Sequence, residues 1–291
     1  MRLKVLMENS TMIDEYYLAE PGLSLLVEDG STRLIFDTGY SGIFLTNADA
    51  MGEDLSSPTA IILSHGHDDH SAGLRHWVAR YSTGQNSQPA LVAHPRAIDP
   101  KRDGSLAIGS PLNQEELGRH FTLRLSAQPL EITPRLIFLG EIPRTNSFEA
   151  QEPLGETISA TKGIPMIPTG TAADAATGTT WIPDQLFDDS ALVYKGDNGL
   201  VIITGCSHSG IVNIVEYAIK VCGDSRISDI IGGFHLLDAS PTRLDFTRER
   251  LAALAPRIIH PCHCTDLAAR IHLASTLPVK ELGVGTELHY Y

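Results

Sequence analysis

The chain is short of several things, and each shortage removes a class of function. Nowhere in its 291 residues is there an apolar run of the roughly 18 residues that a membrane-crossing helix needs. No membrane partner is expected. The opening Met1-Arg2-Leu3-Lys4-Val5-Leu6-Met7-Glu8 turns polar too early for a signal peptide. Cysteine occurs only at 206, 222, 262 and 264, and three of the four stand beside a candidate metal histidine. That is no disulfide framework, and a reducing cytoplasm is the expected compartment. Positive charge is in deficit, with 22 Lys and Arg against 35 Asp and Glu, a net −13. Such an acidic field repels nucleic acid and anionic membranes, which leaves a small molecule as the expected partner. Oligomeric state is not decided by any of this. The sequence also has no Gly-x-Ser-x-Gly elbow and no Walker loop, so serine-nucleophile and nucleotide-driven mechanisms lack support.

What the chain does have is concentrated in Ser64-His65-Gly66-His67-Asp68-Asp69-His70, directly after the apolar run Ala60-Ile61-Ile62-Leu63. Imidazole is the commonest transition-metal ligand, and a carboxylate oxygen is its usual complement. The apolar run reads as a buried strand, which puts these ligands on a loop at a strand end. His65 and His67 are two apart and project the same way from extended chain. Asp69 and His70 follow as the chain turns into a helix and face a second point. The spacing suits two metal ions better than one.

Apolar residues make up 42% of the chain, enough for a sizeable core. Strands are expected over Leu3 to Met7, Leu23 to Glu28, Arg33 to Asp37, Ala60 to Leu63, Pro89 to Ala93, Phe121 to Leu125 and Arg135 to Leu139. Helices are expected after Ser41, after Ser71 and over Asn113 to Arg119. Asp29-Gly30 marks a tight hairpin. A second hairpin turns at Asp197-Asn198-Gly199, and an apolar helix follows from Ile211 to Val221. Hairpins followed by strand-loop-helix units in both parts suggest one domain over 1–291 with two pseudo-repeated halves, about 1–144 and 190–291. Two facing sheets with helices outside would bury the strands on both faces. Residues 145–189 break the rhythm as an irregular insertion, small and turn-rich over Gly170 to Thr180, and are read either as a flap over the site or as a surface excursion.

The His-x-His-x-Asp-His pattern after a buried strand resembles the metallo-β-lactamase-fold superfamily. Phe36-Asp37-Thr38-Gly39 is a familiar companion of that motif. Three further motifs are Gly205-Cys206-Ser207-His208-Ser209-Gly210, Gly232-Gly233-Phe234-His235-Leu236 and Pro261-Cys262-His263-Cys264-Thr265. Together they resemble the subgroup of the dihydropterin–ribofuranosylaminobenzene-phosphate synthases and their bacterial relatives. The resemblance implies an αββα four-layer sandwich, two divalent metal ions (zinc first, with iron or manganese as alternatives) and a metal-dependent hydrolase or related transferase. The substrate would be a small phosphorylated or cyclic metabolite. Other readings are an iron-dependent redox enzyme of the same fold and a non-catalytic metal or ligand sensor.

Residue by residue, the resemblance assigns His65 and His67 to one metal and Asp69 and His70 to the other. His263 takes the place of the superfamily's last histidine ligand. Where many members supply a bridging aspartate, this chain has Cys206, and His208 two residues on is the expected sixth ligand. The alternative for His208 is a histidine that holds water or substrate. Cys206 is either a thiolate ligand or a small thiol packed behind the site. Cys262 and Cys264, flanking His263, are expected to point away as packing residues. Asp69 and His235 are the candidate catalytic residues, His235 as a proton donor or substrate ligand. Asp37 is expected to orient a metal histidine through its ring N–H. Arg144 is a candidate phosphate ligand and Trp181 a candidate platform for a substrate ring. The chain departs from the subgroup's usual residues at Pro21 and Asp266, both expected near the pocket.

Overall fold

A computed structural model describes residues 1–82, 88–149, 152–158, 172–173 and 180–291. The first sheet runs, edge to edge, Glu287–His289 (β18), Arg2–Met7 (β1), Ser24–Asp29 (β2), Thr32–Phe36 (β3), Ala60–Ile62 (β4), Ala90–Ala93 (β5) and Thr122–Leu125 (β8). The second runs Ile259–Cys262 (β17), Ile227–Gly233 (β16), Gly199–Thr204 (β15), Ala191–Gly196 (β14), Leu136–Phe138 (β10) and Leu130–Thr133 (β9). Both sheets repeat one plan, an antiparallel hairpin that leads into parallel strands: β2–β3 then β4 and β5, β14–β15 then β16 and β17.

Strand alternation accounts for the layering. Leu34, Phe36 and Ile62 share one core cluster with Leu136, Leu192, Val201 and Ile203, so these faces pack sheet against sheet. Their neighbours point outward. Ile35 and Ile61 meet Phe44 and Ala48 of Ile43–Met51 (α1), Leu74 and Trp77 of Leu74–Tyr81 (α3) and Leu117 of Gln114–His120 (α4). Val193, Ile202 and Ile230 meet Ile211–Cys222 (α5), Leu251 of Pro241–Leu254 (α6) and Leu273 of Leu267–Ala274 (α7). Helix, sheet, sheet, helix is the four-layer order expected from the sequence. The remaining helix, Asp68–Ser71 (α2), belongs to the histidine motif.

The halves exchange edge strands. β9 and β10 precede residue 144 yet lie in the second sheet, and β18 crosses to cover the edge of β1, where Arg2 pairs with His289. An uncovered strand edge is a site for unwanted pairing, and β18 removes it. The insertion is not irregular throughout. Glu156–Ile158 (β11), Ala172–Ala173 (β12) and Thr180–Pro183 (β13) join Lys101–Asp103 (β6) and Leu106–Ala107 (β7) in a third, small sheet. The rest of the Gly170–Thr180 run lies outside the described residues.

Candidate metal centre

The parallel strands β4, β15, β16 and β17 all end at one place, and each releases a loop there. Three of the corners are residues other than glycine in the left-handed region: Ser207 at φ 61, His235 at φ 50 and His263 at φ 51. Asp37, just after β3, is a fourth, at φ 57. Non-glycine residues seldom adopt this conformation, and such strain gathers at functional sites. Glycine is required where loops touch. A Cβ at Gly205 would lie 2.0 Å from Ser64 Oγ, and one at Gly66 would lie 2.2 Å from the Ala97 carbonyl oxygen.

The loops bring together two adjacent donor sets. One is His65, His67 and His208; the other is Asp69, His70, Cys206 and His263. Within each, the ligand-type atoms lie within 4.8 Å of one another. His235 forms a third grouping with Cys206 and His208, its ring centroid 4.3 Å from that of His208. All six histidine and aspartate positions expected as ligands are therefore in one crevice, with Cys206 among them.

The outer hydrogen bonds decide which ring nitrogens face inward. Asp37 Oδ2 accepts from His70 Nδ1 at 2.7 Å and from Ser64 Oγ at 2.7 Å, and its Oδ1 accepts Ser64 N–H at 2.7 Å. Asn9 Oδ1 accepts from His263 Nδ1 at 2.9 Å, and Glu8 Oε1 accepts the His263 backbone N–H at 2.7 Å. Both rings thus carry their proton on Nδ1. Their Nε2 atoms therefore face inward, 3.1 Å from each other, with Cys206 Sγ at 3.2 and 3.1 Å and Asp69 Oδ2 at 3.6 and 3.3 Å. Two imidazole nitrogens, a sulfur and a carboxylate converging at this distance make a donor set that could hold a cation. In the other set, Ser64 Oγ lies 3.0 Å from His65 Nδ1, His65 Nε2 lies 3.1 Å from His67 Nδ1, and the buried His67 Nε2 has no hydrogen-bond partner among the described residues. This donor set fits a divalent ion of borderline softness.

Electrostatics separate the two sets. Burial holds His65 and His208 well below the ordinary imidazole range and His67 at about 4, so these rings are neutral and available as ligands. Burial opposes charge on His70 too, but Asp69 and Asp37 prevail and push it up to about 9, so without an ion its Nε2 also holds a proton, which a bound metal would displace. Asp69 is driven below the usual carboxylate range, against burial, by His70 and His263.

Several placements differ from the sequence expectation. Cys262 packs between the sheets as expected, but Cys264 does not join a core cluster. Its Sγ donates to the Cys206 carbonyl at 3.4 Å and accepts His235 N–H at 3.3 Å, because His263 at φ 51 breaks the extended chain that would have turned it away. Asp266 caps α7, accepting Ala269 N–H at 2.7 Å. Arg144 donates to the carbonyls of Gln185 and Leu186, and Trp181 lies under the Arg102 guanidinium at 4.0 Å. Glu8, Asn9 and the buried Lys101–Asp184–Asp188 cluster carried no sequence signal, since isolated polar residues have no period to betray them.

A cavity of about 520 Å³ opens beside the donor sets, with His67 and Asp69 in its lining. Pro21, Tyr40, Ile108 and Leu154 supply apolar wall, and Asp68 and Asp103 supply carboxylates. Neither lysine nor arginine is among the described residues that line it. Another cavity, of about 350 Å³, lies at the opposite end of β15, beside Asn198 and Arg257, away from this chemistry.

The family model of the Metallo-beta-lactamase superfamily matches residues 18–263. The chain belongs to this superfamily. It is 30% identical over 281 residues to the 7,8-dihydropterin-6-methyl-4-(beta-D-ribofuranosyl)-aminobenzene-5'-phosphate synthase of Methanocaldococcus jannaschii, covering 92% of this chain and 88% of that one. An uncharacterized protein of the same organism is 29% identical over 273 residues, 94% of this chain and 93% of its own. Among solved structures, a metal-dependent hydrolase of the beta-lactamase superfamily matches with a TM-score of 0.78 at 28% identity, over 99% of this chain and 98% of its own. YhfI of Bacillus subtilis shares the fold, with a TM-score of 0.54 at 12% identity over 99% of both chains. Superfamily and relatives together mark an enzyme of a fold that uses divalent metals.

Proposed function

We propose that the chain is a dinuclear metal enzyme that hydrolyses, or transfers a group from, a small phosphorylated metabolite. One observation carries the reading: the His70 and His263 rings have their outer nitrogens fixed by Asp37 and Asn9, so that their Nε2 atoms converge with Cys206 Sγ and Asp69. His65, His67 and His208 would hold the neighbouring ion. Divalent ions in the two sets would lower the pKa of a water and neutralise charge on a phosphate oxygen or on a departing diphosphate.

The protein's own groups do the rest. Asp37 and Asn9 keep protons on the outer nitrogens. Asp69, beside both inward Nε2 atoms, is the candidate group for orienting the attacking molecule. His235 is half-buried, its Nδ1 without a hydrogen-bond partner among the described residues, and it is the candidate to hand a proton to the leaving group or to grip the substrate. The cavity wall offers an apolar face to a ring system and, among the described residues, no side-chain cation, so a phosphate there would rely on the metal ions. This agrees with a substrate of the kind that the name of the archaeal synthase specifies. Both halves supply donors to each set, which supports action as one domain. The test is metal analysis of protein purified with and without added zinc, paired with turnover of a panel of phosphodiesters, lactones and aryl esters. Two ions per chain and metal-dependent turnover are expected; at most one tightly bound ion in metal-replete protein would overturn the reading.

A further inference from the structure

Two consecutive carboxylates outside the donor sets grip the backbones that carry them. Asp188 and Asp189 lie in the segment leading into β14 and are each 1% exposed. Asp188 Oδ2 accepts the N–H of Gly66, the residue between His65 and His67, at 2.8 Å. Asp189 Oδ2 accepts the N–H of Ser209, the residue after His208, at 2.9 Å, and also its hydroxyl. Ser190 continues the strap and donates its N–H to the Ser64 carbonyl at 2.9 Å. The loops held this way come from different sheets, and they carry the three histidines of one donor set.

The strap is costly to build. Lys101, buried beneath the first loop, lies 3.0 Å from Asp188 and 2.5 Å from Asp184, so Asp188 is paired. Among the described residues Asp189 has no such cation, and its Oδ1 is buried without a hydrogen-bond partner there. A buried carboxylate left half-satisfied in a native fold calls for a reason. Its geometry supplies one: with Asp188 it ties the loop that carries His65 and His67 to the loop that carries His208.

We propose that Asp188 and Asp189 are positioning residues that set the distance between the His65–His67 turn and His208, and with it the metal affinity of that donor set alone. The proposal rests on the reading that both sets hold divalent ions. Partners behind a metal ligand typically contribute 10–100-fold in affinity. The experiment is a cobalt(II) titration of metal-free protein, followed by visible absorption and by competition with a chelator. Wild-type protein should take up two equivalents and show a sulfur-to-cobalt band from Cys206. Uptake of fewer than two by the wild type would overturn the metal reading itself, before any variant is considered. In Asp189→Ala one equivalent should weaken about 10–100-fold while the sulfur band persists. Asp189→Asn keeps an acceptor for Ser209 and should restore the affinity. Should Asp189→Ala fail to fold, Ser209→Ala removes the hydroxyl contact alone and should weaken the same equivalent to a smaller extent. Unchanged affinity in the folded variant, or equal weakening of both equivalents with loss of the sulfur band, would overturn the proposal.

Discussion

Asp37→Asn is the sharpest perturbation of the centre, because it exchanges a single oxygen for an NH₂ group without moving the backbone. Asp37 sits at φ 57, a conformation that asparagine tolerates as well as aspartate does. The carboxylate is fully buried and accepts three hydrogen bonds, from Ser64 N–H, Ser64 Oγ and His70 Nδ1. An amide has one acceptor oxygen. If it faces Ser64 N–H, the NH₂ meets the His70 Nδ1 proton and the Ser64 hydroxyl. The hydroxyl can rotate, but the ring escapes only by moving its proton to Nε2. That proton then occupies the lone pair facing His263 and Cys206. A hydrogen bond to a charged acceptor contributes about 1.5–3 kcal/mol, and a factor of ten in affinity is about 1.4 kcal/mol. Metal affinity at the Asp69–His70–Cys206–His263 set should therefore fall by roughly 10–100-fold, in agreement with what such supporting partners usually contribute. Chelator competition with zinc or cobalt measures this directly. A folded Asp37→Asn protein whose affinity stays within about twofold of wild type would refute the tautomer argument, since twofold is well below any loss of a charge-assisted bond.

Other expectations follow from the same geometry. Cys206→Ser should abolish the sulfur-to-cobalt band and loosen one ion, because Sγ lies 3.1 Å from His263 Nε2; an unchanged spectrum would return Cys206 to a packing role. Asp69→Asn should leave the circular dichroism of the fold intact and cut turnover on the order of 100-fold or more, and near wild-type rates would remove Asp69 from the chemistry. Asp99 offers a pH test away from the centre. Burial pushes its carboxyl up to about 6, above the unfolded value of about 3.9, so the folded state binds the extra proton and stability falls as pH rises through that window. Asp99→Asn should thus raise Tm at pH 8 and lose its advantage by about pH 4; an equal gain at both would contradict the burial argument.

The layered fold and most of the donor set could be read in the sequence because their signals are local. Alternating apolar strands, the Asp29-Gly30 and Asp197-Asn198-Gly199 turns and the histidine spacing each declare themselves within a few residues. The helix expected over Asn113 to Arg119 is α4, and the structure closes its first turn with a reciprocal Asn113–Glu116 cap. What escaped depends on distant partners. Nothing near Asn9 shows that it will meet His263, and nothing near Asp189 shows that it will meet Ser209. Cys264 was misplaced because extended geometry was assumed across His263, whose left-handed backbone redirects the next side chain. The β11–β13 strands were missed because they are only two to four residues long and pair with β6 from another part of the chain.

The division of each donor set between the two halves bears on how the chain folds. His70 and His263 are 193 positions apart, yet their nitrogens are 3.1 Å from each other. An ion held between them would act as a reversible cross-link across most of the polypeptide, closing a loop whose entropy is expensive to lose. It could bind only after the sheets had docked, so it should leave the folding rate nearly unchanged and act on the unfolding rate instead. A chain stripped of its ions would then be just as quick to assemble but quicker to come apart, and its lifetime in the presence of a protease would report the supply of metal.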